Sequence, residues 1–132
     1  MARILIVDDS QSQRQLLEHL LDKNGHQVLT ATTGEDGIDA ASGEQPDLIL
    51  MDVVMPGIDG FRATREITHN DTTSHIPVII LSSKSDDTDQ IWAERQGARG
   101  YLTKPVNEKA LISAISGVLK SKTSAGHHPS DG

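Results

Sequence analysis

Cysteine is absent from the 132 residues. This excludes disulfide staples, thiolate-based zinc sites and thiol catalysis, and it agrees with a reducing, cytoplasmic compartment. No apolar run approaches the roughly 20 residues that a membrane-spanning helix needs. The opening stretch, Met1-Ala2-Arg3-Ile4-Leu5-Ile6-Val7-Asp8, meets a carboxylate too soon to act as a secretory signal. Basic runs are missing as well: 12 Lys and Arg are scattered among 19 Asp and Glu, for a net charge of −7. Such a surface repels phosphate backbones, so neither nucleic acid nor membrane insertion is expected. The six histidines, His19, His26, His69, His75, His127 and His128, have no ligand partners at metal spacing and read as surface groups.

What the chain does contain is an alternation. Short apolar runs at 3–7, 27–31, 47–51, 76–81 and 100–103 are interleaved with helix-period segments at 10–24, 34–43, about 60–69, about 86–96 and 107–121. Five βα units of this kind predict an α/β domain over residues 1–122, built on one doubly wound, five-stranded parallel sheet. The first, third and fourth runs are continuously apolar, as buried central strands require, while the second and fifth read as edges.

Ser10, with Gln13 three residues on, forms a capping-box pattern. Leu16, Leu17, Leu20 and Leu21 then give the first helix one apolar stripe, and Gly25 ends it. Asn107 reads as the N-cap of the last helix, which carries Leu111, Ile112, Ile115, Val118 and Leu119 at helical spacing. From 123 to 132 the apolar periodicity stops and turn formers accumulate, so this segment reads as a disordered tail. At this length an attached output module is not expected, and output is expected to run through a partner protein.

In open parallel sheets, ligands bind beyond the carboxyl ends of the strands. Here the first strand ends in Asp8-Asp9, the third in Asp52 and the fourth in Ser82-Ser83, and the fifth runs into Lys104-Pro105. Three carboxylates in one small site repel one another, and burial raises their pKa values unless a cation is present. An all-oxygen donor set suits Mg²⁺ awaiting a phosphate. Lys104 supplies a compact positive charge for a phosphoryl oxygen, and a carboxylate can itself be the nucleophile, forming an aspartyl phosphate. Each element alone has a plainer reading: Asp8-Asp9 as an acidic pair at a helix start, Lys104 as a structural ion-pair partner, Ser82 as a helix cap, Met55-Pro56-Gly57 as a turn. Their conjunction at four strand ends favours chemistry.

The motifs are Ile4-Leu5-Ile6-Val7-Asp8-Asp9-Ser10, the segment from Pro46 through Asp52 and Met55-Pro56-Gly57 to Gly60, Ile76-Pro77-Val78-Ile79-Ile80-Leu81-Ser82-Ser83, and Gly97 through Lys104-Pro105. Together they resemble the response-regulator receiver family over nearly all of residues 2–121. The resemblance implies a flavodoxin-like fold with strand order 2-1-3-4-5. It implies Asp52 as phosphoacceptor, served by a phosphohistidine of a sensor histidine kinase. Mg²⁺ would be held by Asp8, Asp9, Asp52 and the main-chain carbonyl of Val54. Ser82 would be the switch hydroxyl, Lys104 the phosphate-contacting lysine and Tyr101 the aromatic that moves inward on activation. Val54 and Lys84 would set the phosphoryl lifetime, and the Lys104–Pro105 peptide would be cis. Output would leave through the fourth helix, fifth strand and fifth helix.

Gly60-Phe61-Arg62-Ala63-Thr64-Arg65, Ile91-Trp92 and Thr103-Lys104-Pro105-Val106 are most similar to stand-alone regulators of twitching motility. Trp92 reads either as a partner anchor or as a residue packed among helices. The chain is thus expected to be a signalling phosphoacceptor that catalyses only its own phosphoryl transfer and loss. Of the rivals, an aspartyl phosphohydrolase would carry an Asp two residues after the nucleophile, where Val54 stands. A flavin or nucleotide module would have a glycine cradle after the first strand, where the chain reads Asp8-Asp9-Ser10-Gln11-Ser12-Gln13. A pseudo-receiver that binds partners without phosphorylation stays open, with the full acidic set against it.

Overall fold

The computed structural model describes residues 1–55, 57–84 and 86–127, with side chains as far as Lys120. Pro56 of the expected turn and residues 128–132 of the expected tail lie outside the described residues. The order of elements is β1 (Arg3–Val7), α1 (Gln11–Lys23), β2 (Gln27–Ala31), α2 (Gly34–Glu44), β3 (Leu48–Asp52), α3 (Gly60–His69), β4 (Val78–Ser82), α4 (Asp87–Arg95), β5 (Gly100–Thr103) and α5 (Glu108–His127). All strand pairs are parallel, in the order β2-β1-β3-β4-β5.

The side-chain period of two divides each central strand between two cores. Ile4, Ile6, Leu48, Leu50, Ile79 and Leu81 face Leu17, Leu20 and Leu21 of α1 and Leu111 and Ile115 of α5. Their neighbours Leu5, Val7, Ile49, Met51, Val78 and Ile80 face Ala41 of α2, Ala63 and Ile67 of α3, and Ala93 of α4. The runs Ile4–Val7, Leu48–Met51 and Val78–Leu81 of β1, β3 and β4 are therefore continuously apolar, because both sheet faces are covered there.

Several local expectations need correction. Leu16 is 44% exposed and lies outside the α1 stripe, which narrows to Leu17, Leu20 and Leu21. Ser10 caps α1 by accepting from Gln13 N–H, but its own N–H donates to Asp8 Oδ1, so the return half of the capping box is not made. Helix α5 continues to His127, past the boundary at 122, because adding a residue to an existing helix gains a hydrogen bond without a new nucleus.

Candidate phosphoacceptor site

Asp8 continues the β1 ladder by donating its N–H to Ala31 O at 3.1 Å. The side chain is nearly fully buried. Its Oδ1 accepts from Ser10 N–H at 2.9 Å, its Oδ2 from Lys104 Nζ at 3.3 Å, and its carbonyl from Arg14 Nη1 at 2.8 Å. Asp9, one residue on, is exposed.

Asp52 closes β3. Lys104 Nζ, arriving from the end of β5, donates to its Oδ1 at 2.7 Å. The exit from β3 is tightly constrained: any Cβ on Gly60, at the start of α3, would run into the Asp52 carbonyl, so only glycine fits there. Gly60 N–H donates to Val53 O at 2.9 Å and ties the helix start to the strand end. Carboxylate oxygens of Asp8, Asp9 and Asp52 lie within 4.8 Å of one another.

Ser82, buried at the end of β4, accepts from Lys84 N–H at 3.1 Å. Lys84 in turn accepts at its carbonyl from the Tyr101 hydroxyl at 2.6 Å. The Lys104 N–H donates to Ser82 O at 2.7 Å, joining the ends of β4 and β5. The Lys104–Pro105 peptide is cis. Val54, in the loop after β3, has its side chain 77% exposed, and the Lys84 side chain is also exposed.

Burial is the main cause that pushes the Asp52 carboxyl above its ordinary value, and the charges of Asp8 and Asp9 add to it; the hydrogen bond from Lys104 works the other way. Burial opposes the Lys104 charge, but the hydrogen bond to Asp52 and the fields of Asp52 and Asp8 outweigh it and raise the ammonium's pKa. Three carboxylates around one ammonium leave two negative charges uncompensated. An all-oxygen donor set with that residual charge fits a hard divalent cation such as Mg²⁺, with Asp8, Asp9 and Asp52 as the groups that would hold it.

Two contributors escaped the sequence reading. Arg14 carries no motif, since its role is to bind a backbone carbonyl. In the link between Ser82 Oγ and the Tyr101 hydroxyl, Lys84 takes part only through its main-chain N–H and carbonyl, which its side chain does not report.

No helix among the described residues is long and apolar enough to cross a membrane. Residues 4–116 match the response regulator receiver domain. The chain is 56% identical over 119 residues to Protein PilH of Pseudomonas aeruginosa, covering 90% of this chain and 98% of that protein. It is 39% identical over 120 residues to the transcriptional regulatory protein AfsQ1 of Streptomyces coelicolor, but spans only 52% of its length. The fold is similar to that of the chemotaxis protein CheY4 of Vibrio cholerae, with a TM-score of 0.82 and 31% identity over 88% of this chain and 97% of that one. Matched along most of its length, and with its acidic strand ends gathered around one lysine, the chain belongs to the response regulator receiver family.

Proposed function

We propose that the chain is a single-domain response regulator that accepts a phosphoryl group on Asp52 from a phosphohistidine of a sensor histidine kinase. The observation that supports this reading is the gathering of the Asp52, Asp8 and Asp9 carboxylates within 4.8 Å of one another, with Lys104 Nζ at 2.7 Å from Asp52. In the transfer, a carboxylate oxygen of Asp52 forms the new bond to phosphorus, the phosphorus–nitrogen bond breaks, and the imidazole leaves with its electron pair and takes up a proton. Mg²⁺, when bound by Asp8, Asp9, Asp52 and the Val54 carbonyl, supplies positive charge for the phosphoryl oxygens.

Lys104 offers a second cation to the same oxygens. The Ser82 oxygen already accepts from Lys84 N–H, so its own proton is available for a phosphoryl oxygen. That pull passes through Lys84 to Tyr101 and so to α4, β5 and α5, the surface a partner protein reads. Likeness to PilH supports a place in type IV pilus twitching motility or chemotaxis-like control.

The test is incubation with a small-molecule phosphodonor and Mg²⁺, followed by intact-mass measurement. The parent gains one phosphoryl group and Asp52→Asn gains none. Undiminished labelling of Asp52→Asn overturns the assignment, and an unlabelled parent turns the reading to a phosphorylation-independent binding module.

A further inference from the structure

The single Asn-Gly pair of the chain, Asn24-Gly25, lies in the exposed turn between α1 and β2. Asn24 is the C-cap of α1. Its Nδ2 donates to Leu20 O at 2.7 Å, satisfying one of the last carbonyls of the helix, and to Oε2 of Glu108, the first residue of α5, at 3.1 Å. Lys23 Nζ meets the other Glu108 oxygen at 3.2 Å. Both partners of Asn24 are acceptors, so the amide can face them only through its NH₂. The hydrogen bond from Asn24, ahead of that from Lys23, holds the Glu108 carboxyl below its ordinary value. Asn24 thus clasps α1 to α5, the two helices that cover one sheet face with Leu17, Leu20, Leu21, Leu111 and Ile115.

The residue after Asn24 is the one that leaves an asparagine open to chemical change. Glycine has no Cβ to shield its main-chain nitrogen, and nothing lies within 4 Å of the place where a Cβ on Gly25 would stand. Asn70 and Asn107 instead precede the larger, charged Asp71 and Glu108. The fold restrains Asn24 in two ways. Gly25 N–H donates to Asp22 O at 3.0 Å, and the Asn24 amide is held against α1 and α5 by its own two bonds. Both restraints lie in an exposed turn, where local opening costs little.

We infer that Asn24 is a deamidation site, held in check by its clasp on Glu108 and destroying that clasp when it reacts. The Gly25 main-chain nitrogen gives up its proton and bonds to Asn24 Cγ, the Cγ–Nδ2 bond breaks, and the amide nitrogen leaves as ammonia. Water then opens the resulting succinimide at either carbonyl, giving an aspartyl or an isoaspartyl residue. The sum is amide plus water going to carboxylate plus ammonium, with no oxidant or reductant. The new carboxylate has no proton to donate. It faces the Leu20 carbonyl and the Glu108 carboxylate at the negative end of the α1 dipole, with Lys23 as the nearby cation. An isoaspartyl product also lengthens the main chain by one methylene, at the turn where the Gly25 and His26 N–H groups donate back to Asp22 O and Leu21 O.

The full chain is incubated at mildly alkaline pH and physiological temperature, folded and in urea, and conversion at each asparagine is followed by peptide mass. In urea Asn24 converts many-fold faster than Asn70 or Asn107. In the folded chain Asn24 reacts more slowly, and Glu108→Ala, checked for unchanged circular dichroism, speeds it several-fold. Asn24→Asp lowers the thermal midpoint, and the loss shrinks in a Glu108→Gln background, where the opposing charge is gone. Conversion of Asn24 in urea no faster than that of the other two asparagines overturns the site. Equal folded-state rates in parent and Glu108→Ala overturn the restraint, and an Asn24→Asp variant as stable as the parent overturns the loss of the clasp. None of these readouts depends on Asp52, so they stand or fall apart from the phosphoacceptor reading.

Discussion

The Tyr101 hydroxyl donates to the main-chain carbonyl of Lys84 at 2.6 Å, while the N–H of that same residue donates to Ser82 Oγ. One residue therefore joins the buried hydroxyl at the end of β4 to the sole aromatic ring of β5. Phosphorylation should change the Tyr101 ring resonances, and Ser82→Ala should shrink that change. Equal changes in parent and Ser82→Ala would sink the coupling. Tyr101→Phe should cost about 0.5–1.5 kcal/mol in urea unfolding, the net worth of one hydrogen bond.

A pH dependence follows from Asp52. Its folded pKa is raised, so from the ordinary value near 3.8 up to the folded value the native state holds more protons than the unfolded chain. Stability therefore falls as pH rises through that window. In chelator, thermal unfolding should show this fall in the parent and a smaller one in Asp52→Asn, with Mg²⁺ restoring the parent at neutral pH. A parent that gains stability across the window would contradict the electrostatic account.

Gly60→Ala should lower stability by about 1–3 kcal/mol through overpacking. The new methyl meets the Asp52 carbonyl, so calorimetric Mg²⁺ affinity should drop as well. Unchanged values for both would mean that the α3 start yields without moving Asp52.

Leu17 and Leu16 are sequence neighbours with opposite fates, 0% and 44% exposed. Leu17→Ala should cost about 2–5 kcal/mol and Leu16→Ala no more than about 0.5 kcal/mol in denaturant unfolding. Comparable losses would place Leu16 in the core.

Phosphoryl lifetime offers a separate check on Val54. Hydrolysis of an aspartyl phosphate needs a water held in line, and a branched apolar side chain offers that water no hydrogen bond. Val54→Asn should speed phosphoryl loss in Mg²⁺, followed by mass after removal of the donor. A rate that is unchanged or slower defeats the water-positioning argument.

The fold was largely legible because each βα unit repeats the same physical pattern. Strands β1, β2 and β5 lie where their apolar runs place them, but β3 and β4 end later, at Asp52 and Ser82. Those polar residues pair in the ladder, Asp52 with Leu81 and Ser82 with Thr103, which a hydrophobicity pattern cannot register. In the site, Asp8, Asp9, Asp52 and Lys104 could be assembled from sequence because parallel topology sends every strand end to one edge. Arg14 could not, since its guanidinium targets a main-chain carbonyl that carries no sequence signal, nor could the Lys84 bridge, since Lys84 takes part through its own N–H and carbonyl, which every residue but proline possesses.

The bonds around Asp8 give the site one stationary jaw. Its N–H, its carbonyl and both carboxylate oxygens are all engaged, by β2, α1 and Lys104. On the opposite side, the Ser82 and Tyr101 hydroxyls are joined to Lys84 by single bonds in series, beyond the ladder that holds β4 to β5. A displacement centred on Asp52 thus meets stiffness in one direction and compliance in the other. If Asp52 takes up a phosphoryl group as proposed, the displacement is directed toward β5 for the same reason that a door turns about its hinge, because the other edge is already fastened.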